Sequence, residues 1–359
     1  FSFSYRGADQ PMAVTPAIEA AWVPGFWNGN TWAYGATTNV DPVADTAMFT
    51  YTSTANISGN YTTALLPALI KQTFFSRSNG NWEDPNTWSL SGHSGAAYVV
   101  PPVNNSNVFV GNAHTVIIST APARNMDTLN LYNGGRLELG VFDNLTLNRF
   151  IKTAGAGTIA TQALTGDTAR LPKINLSAPF YTTPNNTVEY MGTANYFLPK
   201  VTTYNNLRIS GTGIKSQTIN ISMNGVLSVL AGATHHMEEF SITGAGSTCL
   251  IAANATLRVG RPGSAVATIF PSGFASYGLN AASNVRYAAN GNQTVRNISY
   301  GNLFLETAGN KTPQANFTIN GNLFIGAGAS FTFGATARTI TLNGDLSGPG
   351  TLNLQNANH

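Results

Sequence analysis

The stretch Asn186–Ala233 reads NTVEYMGTANYFLPKVTTYNNLRISGTGIKSQTINISMNGVLSVLAGA, and Ser283–Ala329 reads SNVRYAANGNQTVRNISYGNLFLETAGNKTPQANFTINGNLFIGAGA. The two align. Val188 and Tyr190 match Val285 and Tyr287 at an offset of 97. After one deletion the offset becomes 96, and Tyr204, Asn206, Leu207 and Lys215 match Tyr300, Asn302, Leu303 and Lys311. Gly225, Leu227 and Ala231-Gly-Ala then match Gly321, Leu323 and Ala327-Gly-Ala. So many identities in one register mark an internal repeat of 186–233 in 283–329.

A shorter beat runs inside each copy. Leu207 to Leu227 is 20 residues, as is Leu303 to Leu323, and Leu346 follows 23 later. Periods of roughly 20–30 residues belong to solenoids. The segments between Gly and Asn are short, β-branched and alternating, as in HTVIIS, QTINIS and ARTITLNG, which is a strand signature. Strands of successive coils then pair in parallel, with Leu, Ile and Val turned inward. Asn at the corners tolerates left-handed backbone and can bond the neighbouring coil. The expected fold is all-β, a parallel β-helix. A blade of four strands every 40–45 residues would mark a propeller, and that pattern does not appear.

Composition agrees. Of 359 residues, 9% are charged and 43% apolar, and the net charge is +3. Polar uncharged residues replace Lys and Glu on the surface. The scattered basic residues form no patch, which argues against nucleic acid as a partner. No apolar run approaches the roughly 20 residues a membrane span needs. The single cysteine, Cys249, sits beside Leu250 and Ile251 and reads as a small core residue.

Three regions are expected. Residues 1–75 lack the beat and form an aromatic-rich N-terminal β domain or cap. Helix candidates are confined to PAIEAAW (Pro16–Trp22) and ALLPALIKQTFF (Ala64–Phe75), the second interrupted by Pro67. Residues 76–119 form a cap and first coil, and 120–359 the β-helix. Trp22, Trp27 and Trp32 read either as an aromatic core or as a surface for sugar or subunit contact, since indole carries one polar edge.

Chemistry is sparse. The 15 acidic residues are scattered, whereas glycoside hydrolysis needs two carboxylates at a set separation. The densest ionisable stretch is THHMEEF (Thr234–Phe240). As a strand it would place His235, Met237 and Glu239 on one face and His236 and Glu238 on the other. That makes a partial metal site at best, because zinc wants three or four ligands. A solvated edge or turn is the plainer reading. No catalytic, cofactor or metal residues are assigned, and the expectation is a protein that is not an enzyme.

The segment Gly80–Ser119 contains GNWEDPNTWS and VVPPVNNSNVFVGNAHTVII. It resembles the W-x-D-P-x-T-W … V-P … D-x-V-x-I … G-H-T-V opening of G8-type modules in large secreted surface proteins of Bacteroidota. The repeat VEYxGT … YNNLxIS … INGNL … TITLNGDLSG is similar to other parts of those proteins, which include gliding-motility adhesins and other cargo of the type IX secretion system. The resemblance covers about Trp82 to Leu354. Two positions depart from the pattern: Asn107 stands near an expected aspartate, and Ala113 where a glycine is usual.

The resemblance implies a right-handed β-helix, export and surface attachment. It also implies O-glycosylation at Asp-Thr-[Ala/Leu] steps, which makes Thr46, Thr128 and Thr168 candidate acceptors. Trp82 and Trp88 are expected to lid the apolar end of the solenoid, with His114 in a turn. The last residues read as one more coil without a cap, which points to self-association or a longer surface assembly. The functional expectation is a non-enzymatic adhesin or filament subunit. The alternatives are a carbohydrate-binding surface protein and a β-helix lyase or hydrolase.

Overall fold

Strand Asn206–Ile209 buries Leu207 and Ile209 and leaves Asn206 and Arg208 partly exposed. Leu227–Val229 lies parallel to it, Leu207 against Leu227 and Ile209 against Val229. In the computed structural model this pairing continues from coil to coil, giving a parallel β-solenoid of about 11 turns. The structure describes residues 72–354 except 121–122, 142–144, 152–154, 177–178 and 335–336; before residue 72 it describes six strands by backbone alone.

A nine-stranded sheet runs from Gly80–Asn81 to Ser276–Leu279, and an eight-stranded sheet from Tyr196–Phe197 to Leu346–Ser347. A six-stranded sheet runs from Thr73–Ser76 to Lys173–Ile174 and carries one antiparallel strand, Trp88–Ser89. Shorter parallel sheets complete the turns. A single apolar core extends from Phe74 to Phe333. Each fully buried large aliphatic or aromatic side chain in it contributes roughly 1.5–3 kcal/mol.

Two expectations about the start of the solenoid change. Thr73–Ser76 is a strand rather than the end of a helix, because Phe74 alternates inward and pairs in register with Val108. Parallel pairing therefore begins before the expected boundary at 75/76. Among the described residues the helical segments are two 3-10 turns, Pro85–Thr87 and Phe180–Thr182. Residues 16–21 and 66–71 of the helix candidates lie outside the described residues. Further towards the N-terminus, Trp22–Trp27 pairs antiparallel with Trp32–Tyr34 and Asn60–Leu65, and Thr46–Thr50 with Ser2–Ser4 and Ala36–Asp41.

The sequence repeat is not a whole number of turns. Thr187–Tyr190 lies in the nine-stranded sheet, whose later members start at 206, 227, 248 and 276. Its counterpart Asn284–Tyr287 lies in the eight-stranded sheet, one strand after Ser276–Leu279. The copy has advanced four turns and one face.

Its internal hardware nevertheless repeats. Tyr190 and Tyr204 share a hydroxyl hydrogen bond of 2.7 Å, and Tyr287 and Tyr300 one of 3.0 Å. Lys215 Nζ donates to the carbonyls of Gly192 (2.6 Å) and Gly213 (2.9 Å). Lys311 Nζ donates to Ala289 O (2.6 Å), Gly291 O (2.9 Å) and Gln293 Oε1 (3.0 Å). Both lysines are 0% exposed. A buried charge persists only when paired or fully hydrogen-bonded, and here corner carbonyls of adjacent turns do that work.

Asparagine fills the outer corners. Asn206 Oδ1 accepts from Val226 N (2.8 Å), Asn302 Oδ1 from Asn322 N (2.9 Å) and Asn322 Oδ1 from Asp345 N (2.9 Å). At each of these corners an amide one turn below satisfies a backbone donor without a charge, in keeping with a chain that is 9% charged.

His235 follows Lys215 on the inward side of the eight-stranded sheet. It is 0% exposed, and its Nδ1–H donates to Lys215 O at 2.9 Å. Burial draws its pKa down to about 4, against about 6.5 in an unfolded chain. Between these values the unfolded chain binds more protons. Stability is therefore expected to fall by about 3 kcal/mol as pH drops from 6.5 to 4. Phe331 pairs with Lys311 as His235 pairs with Lys215, so His235→Phe is the matched control. Thermal denaturation across this range should show a shallower pH dependence in that variant; an undiminished slope would assign the effect elsewhere.

Candidate binding face

The outward side of the eight-stranded sheet carries a ladder of one residue per turn. It climbs from Phe197 through Ser216, His236, Arg258 and Arg286 to Phe304 and Phe324. Stacked strands lie about 4.8 Å apart, so successive groups are near neighbours. Arg286 sits over the Phe304 ring, 4.3 Å from its centroid, and also pairs with Glu306. The rings of Phe304 and Phe324 are 6.1 Å apart.

The lower end of this ladder opens into a depression of about 410 Å³, lined by Phe197, Gln217, Thr218, Glu238, Glu239, Phe240 and Arg261. Glu238 Oε1 is 2.8 Å from Arg258 Nη2, 3.3 Å from Ser216 Oγ and 3.6 Å from His236 Nδ1. Burial raises the Glu238 pKa, but His236 and the Arg258 charge outweigh it and hold the carboxyl below its ordinary value. Burial also lowers the His236 pKa, against the pull of Glu238. Glu239 lies 3.8 Å from Arg261 Nη1, and both are exposed.

The THHMEEF stretch thus divides differently from a regular strand. His235 and Met237 are buried, while His236 and Glu238 share the outward side. The strand Thr234–His236 ends before Glu239, so alternation no longer applies there and Glu239 turns outward. Among the described residues no group of three or more His, Cys, Asp or Glu could hold a metal ion.

Phe197, Gln217, Arg258 and Arg261 escaped the sequence reading, because each is ordinary in its own local context. Comparing the two copies was the available signal. In register, Gln217 aligns with Pro313, His236 with Thr332 and Glu238 with Gly334. The framework repeats while this cluster does not.

The other expected residues are placed as follows. Trp82 and Trp88 are 2% and 0% exposed, with ring centroids 5.1 Å apart. Thr128 is 5% exposed and its hydroxyl donates to Asp127 at 3.0 Å; a glycan there would have no room in the folded ladder. Thr168 is exposed beside a second depression. Thr46, Trp22, Trp27 and Trp32 fall on strands whose side chains lie outside the described residues. Cys249 is buried, and burial pushes its thiol up to about 12.

His114 immediately precedes strand Thr115–Ile117. Its Nδ1 lies 3.0 Å from both the hydroxyl and the carbonyl of Ser76, and its ring faces His93 at 5.7 Å. Ser76 is itself 0% exposed, while His114 and His93 are half-buried, so these contacts tie the first turns together at the edge of the core. No helix among the described residues is long and apolar enough to cross a membrane. Comparison with protein-family models, with curated proteins and with solved structures finds no match.

Proposed function

We propose that this chain is a non-enzymatic extracellular surface protein, a β-helical adhesive rod or filament subunit. Its mechanism is rigidity and display. The observation that carries this reading is the interior: Lys215 and Lys311 spend their ammonium groups binding one turn to the next, and the tyrosine pairs clasp two faces of a single turn. A stack braced in this way resists bending and holds its outward ladders at fixed spacing. The exposed Thr168 is the glycan acceptor we assign.

The test is made on cells that produce the protein. Protease added to intact cells should remove it, and purified particles should image as stiff rods. Intact mass should exceed the sequence mass, with the excess lost in Thr168→Ala. Protection from protease in intact cells would overturn the surface assignment. Release of new reducing ends or unsaturated sugars from a polysaccharide panel would overturn the non-enzymatic one.

A further inference from the structure

We infer that the depression between Phe197 and Arg261 is a binding subsite for a neutral pyranose of an oligosaccharide. The inference deepens the surface-protein reading and rests on it only for the supply of glycans. Four observations converge. First, the left-handed backbone at Glu238 (φ 54°) is a demand of the framework, since its counterpart in the second copy is Gly334 (φ 71°). Glycine meets that demand freely, whereas other L-residues are strained there. Glutamate is kept where glycine would be more stable, which is the pattern of strain retained at a site.

Second, Gln217 is 1% exposed and lines the depression. Its amide nitrogen donates to Ile219 O (2.7 Å) and Ser241 O (2.9 Å), but its Oε1 has no hydrogen-bond partner. A buried carbonyl oxygen without a donor is uncommon; Gln72 carries another among the described residues, and that of Gln217 belongs to a side chain lining the depression. Third, Phe197 is 43% exposed on the rim. A phenyl face is electron-rich and attracts the polarised C–H groups of a sugar ring.

Fourth, the charges cancel locally. Glu238 is matched by Arg258 at 2.8 Å and Glu239 by Arg261 at 3.8 Å. A carboxylated or sulfated sugar would meet Glu239, and an aminosugar cation would meet Arg261. A neutral sugar uses both groups, its adjacent hydroxyls donating to the carboxylate and accepting from the guanidinium. The volume falls within the range of small-molecule sites, about 300–1,000 Å³.

The probes are immobilised neutral gluco-, manno- and galacto-oligosaccharides, with uronate and sulfated oligosaccharides alongside. The full-length protein should bind at least one neutral class. Phe197→Ala and Glu239→Gln should each weaken that binding at least ten-fold. Their melting temperatures should stay near wild type, because both side chains are exposed. Phe324→Ala, on the same ladder but outside the depression, should bind normally. Binding to no neutral class, binding to charged glycans alone, or unaltered binding in Phe197→Ala and Glu239→Gln would each overturn the subsite. Loss of glycan binding with surface display intact removes the subsite alone. Glycan binding by a protein that never reaches the surface removes the surface reading alone.

Discussion

Replacing Trp88 by alanine should destabilise the N-terminal turns by about 3–5 kcal/mol, the range for deleting a fully buried indole. Trp88 is 0% exposed and packs edge-on against Trp82 and Phe74, with centroids 5.1 and 6.4 Å away. Its indole N–H donates to Trp82 O at 2.8 Å. The strand Trp88–Ser89 is the outermost of its sheet and pairs antiparallel with Thr73–Ser76. The substitution therefore opens a void under Phe74 and leaves a buried carbonyl without its donor. Solenoid turns stabilise one another mainly through nearest neighbours, so the loss should be local. Hydrogen exchange should accelerate first in Thr73–Ser76 and Asn107–Val110, and less in Leu323–Ile325. Wild-type protection in these first strands would contradict a capping role. Normal folding with lost ligand binding would assign the tryptophans to recognition instead.

Lys311→Met should cost about 1–3 kcal/mol, although it preserves most of the side-chain volume. Removing the ammonium takes a donor from Ala289 O, Gly291 O and Gln293 Oε1; Ala289 O keeps the Thr307 hydroxyl and Gln293 Oε1 keeps Ala289 N, so Gly291 O bears the loss. An orphaned buried acceptor costs about 1–3 kcal/mol, and part of this is offset by the charge no longer being buried. The variant should also differ in its pH response. Burial draws the Lys311 pKa down to about 8, against about 10.4 when unfolded. Between these values the unfolded state binds more protons, so this lysine makes stability rise with pH. Above pH 10 the buried tyrosines reverse the trend, because burial raises the pKa of Tyr287 and Tyr300 and the unfolded chain loses its protons first. Urea denaturation at pH 7, 9 and 10.5 separates the two effects. In Lys311→Met the rise from pH 7 to 9 should shrink while the later fall remains. An unchanged midpoint at pH 7 would show that the lysine does not brace the turns.

Much of the architecture was legible in the residues. The 20-residue spacing of Leu207 and Leu227 appears in the structure as a parallel pair in direct register. The matching of Tyr190, Tyr204 and Lys215 with Tyr287, Tyr300 and Lys311 corresponds to the same hydroxyl pair and the same buried lysine in each copy. Phe74 falls at the end of a helix candidate, ALLPALIKQTFF, that Pro67 interrupts. Its partner Val108 is 34 residues away, a contact that no local window contains.

The binding face was the least legible part. THHMEEF was visible as an ionisable cluster, but its partners Ser216, Arg258 and Arg261 lie on the adjacent turns. Period and alternation are local properties of a chain, and they determined by themselves that this protein stacks short strands around an apolar core. Which side chains meet across turns depends on how many residues each turn contains, and the strands of the eight-stranded sheet start 18 to 28 residues apart. That uneven spacing, set by corners that close only in three dimensions, decided that Phe197, Gln217, Glu238 and Arg261 share one depression. It also decided that the second copy sits one face further round the solenoid.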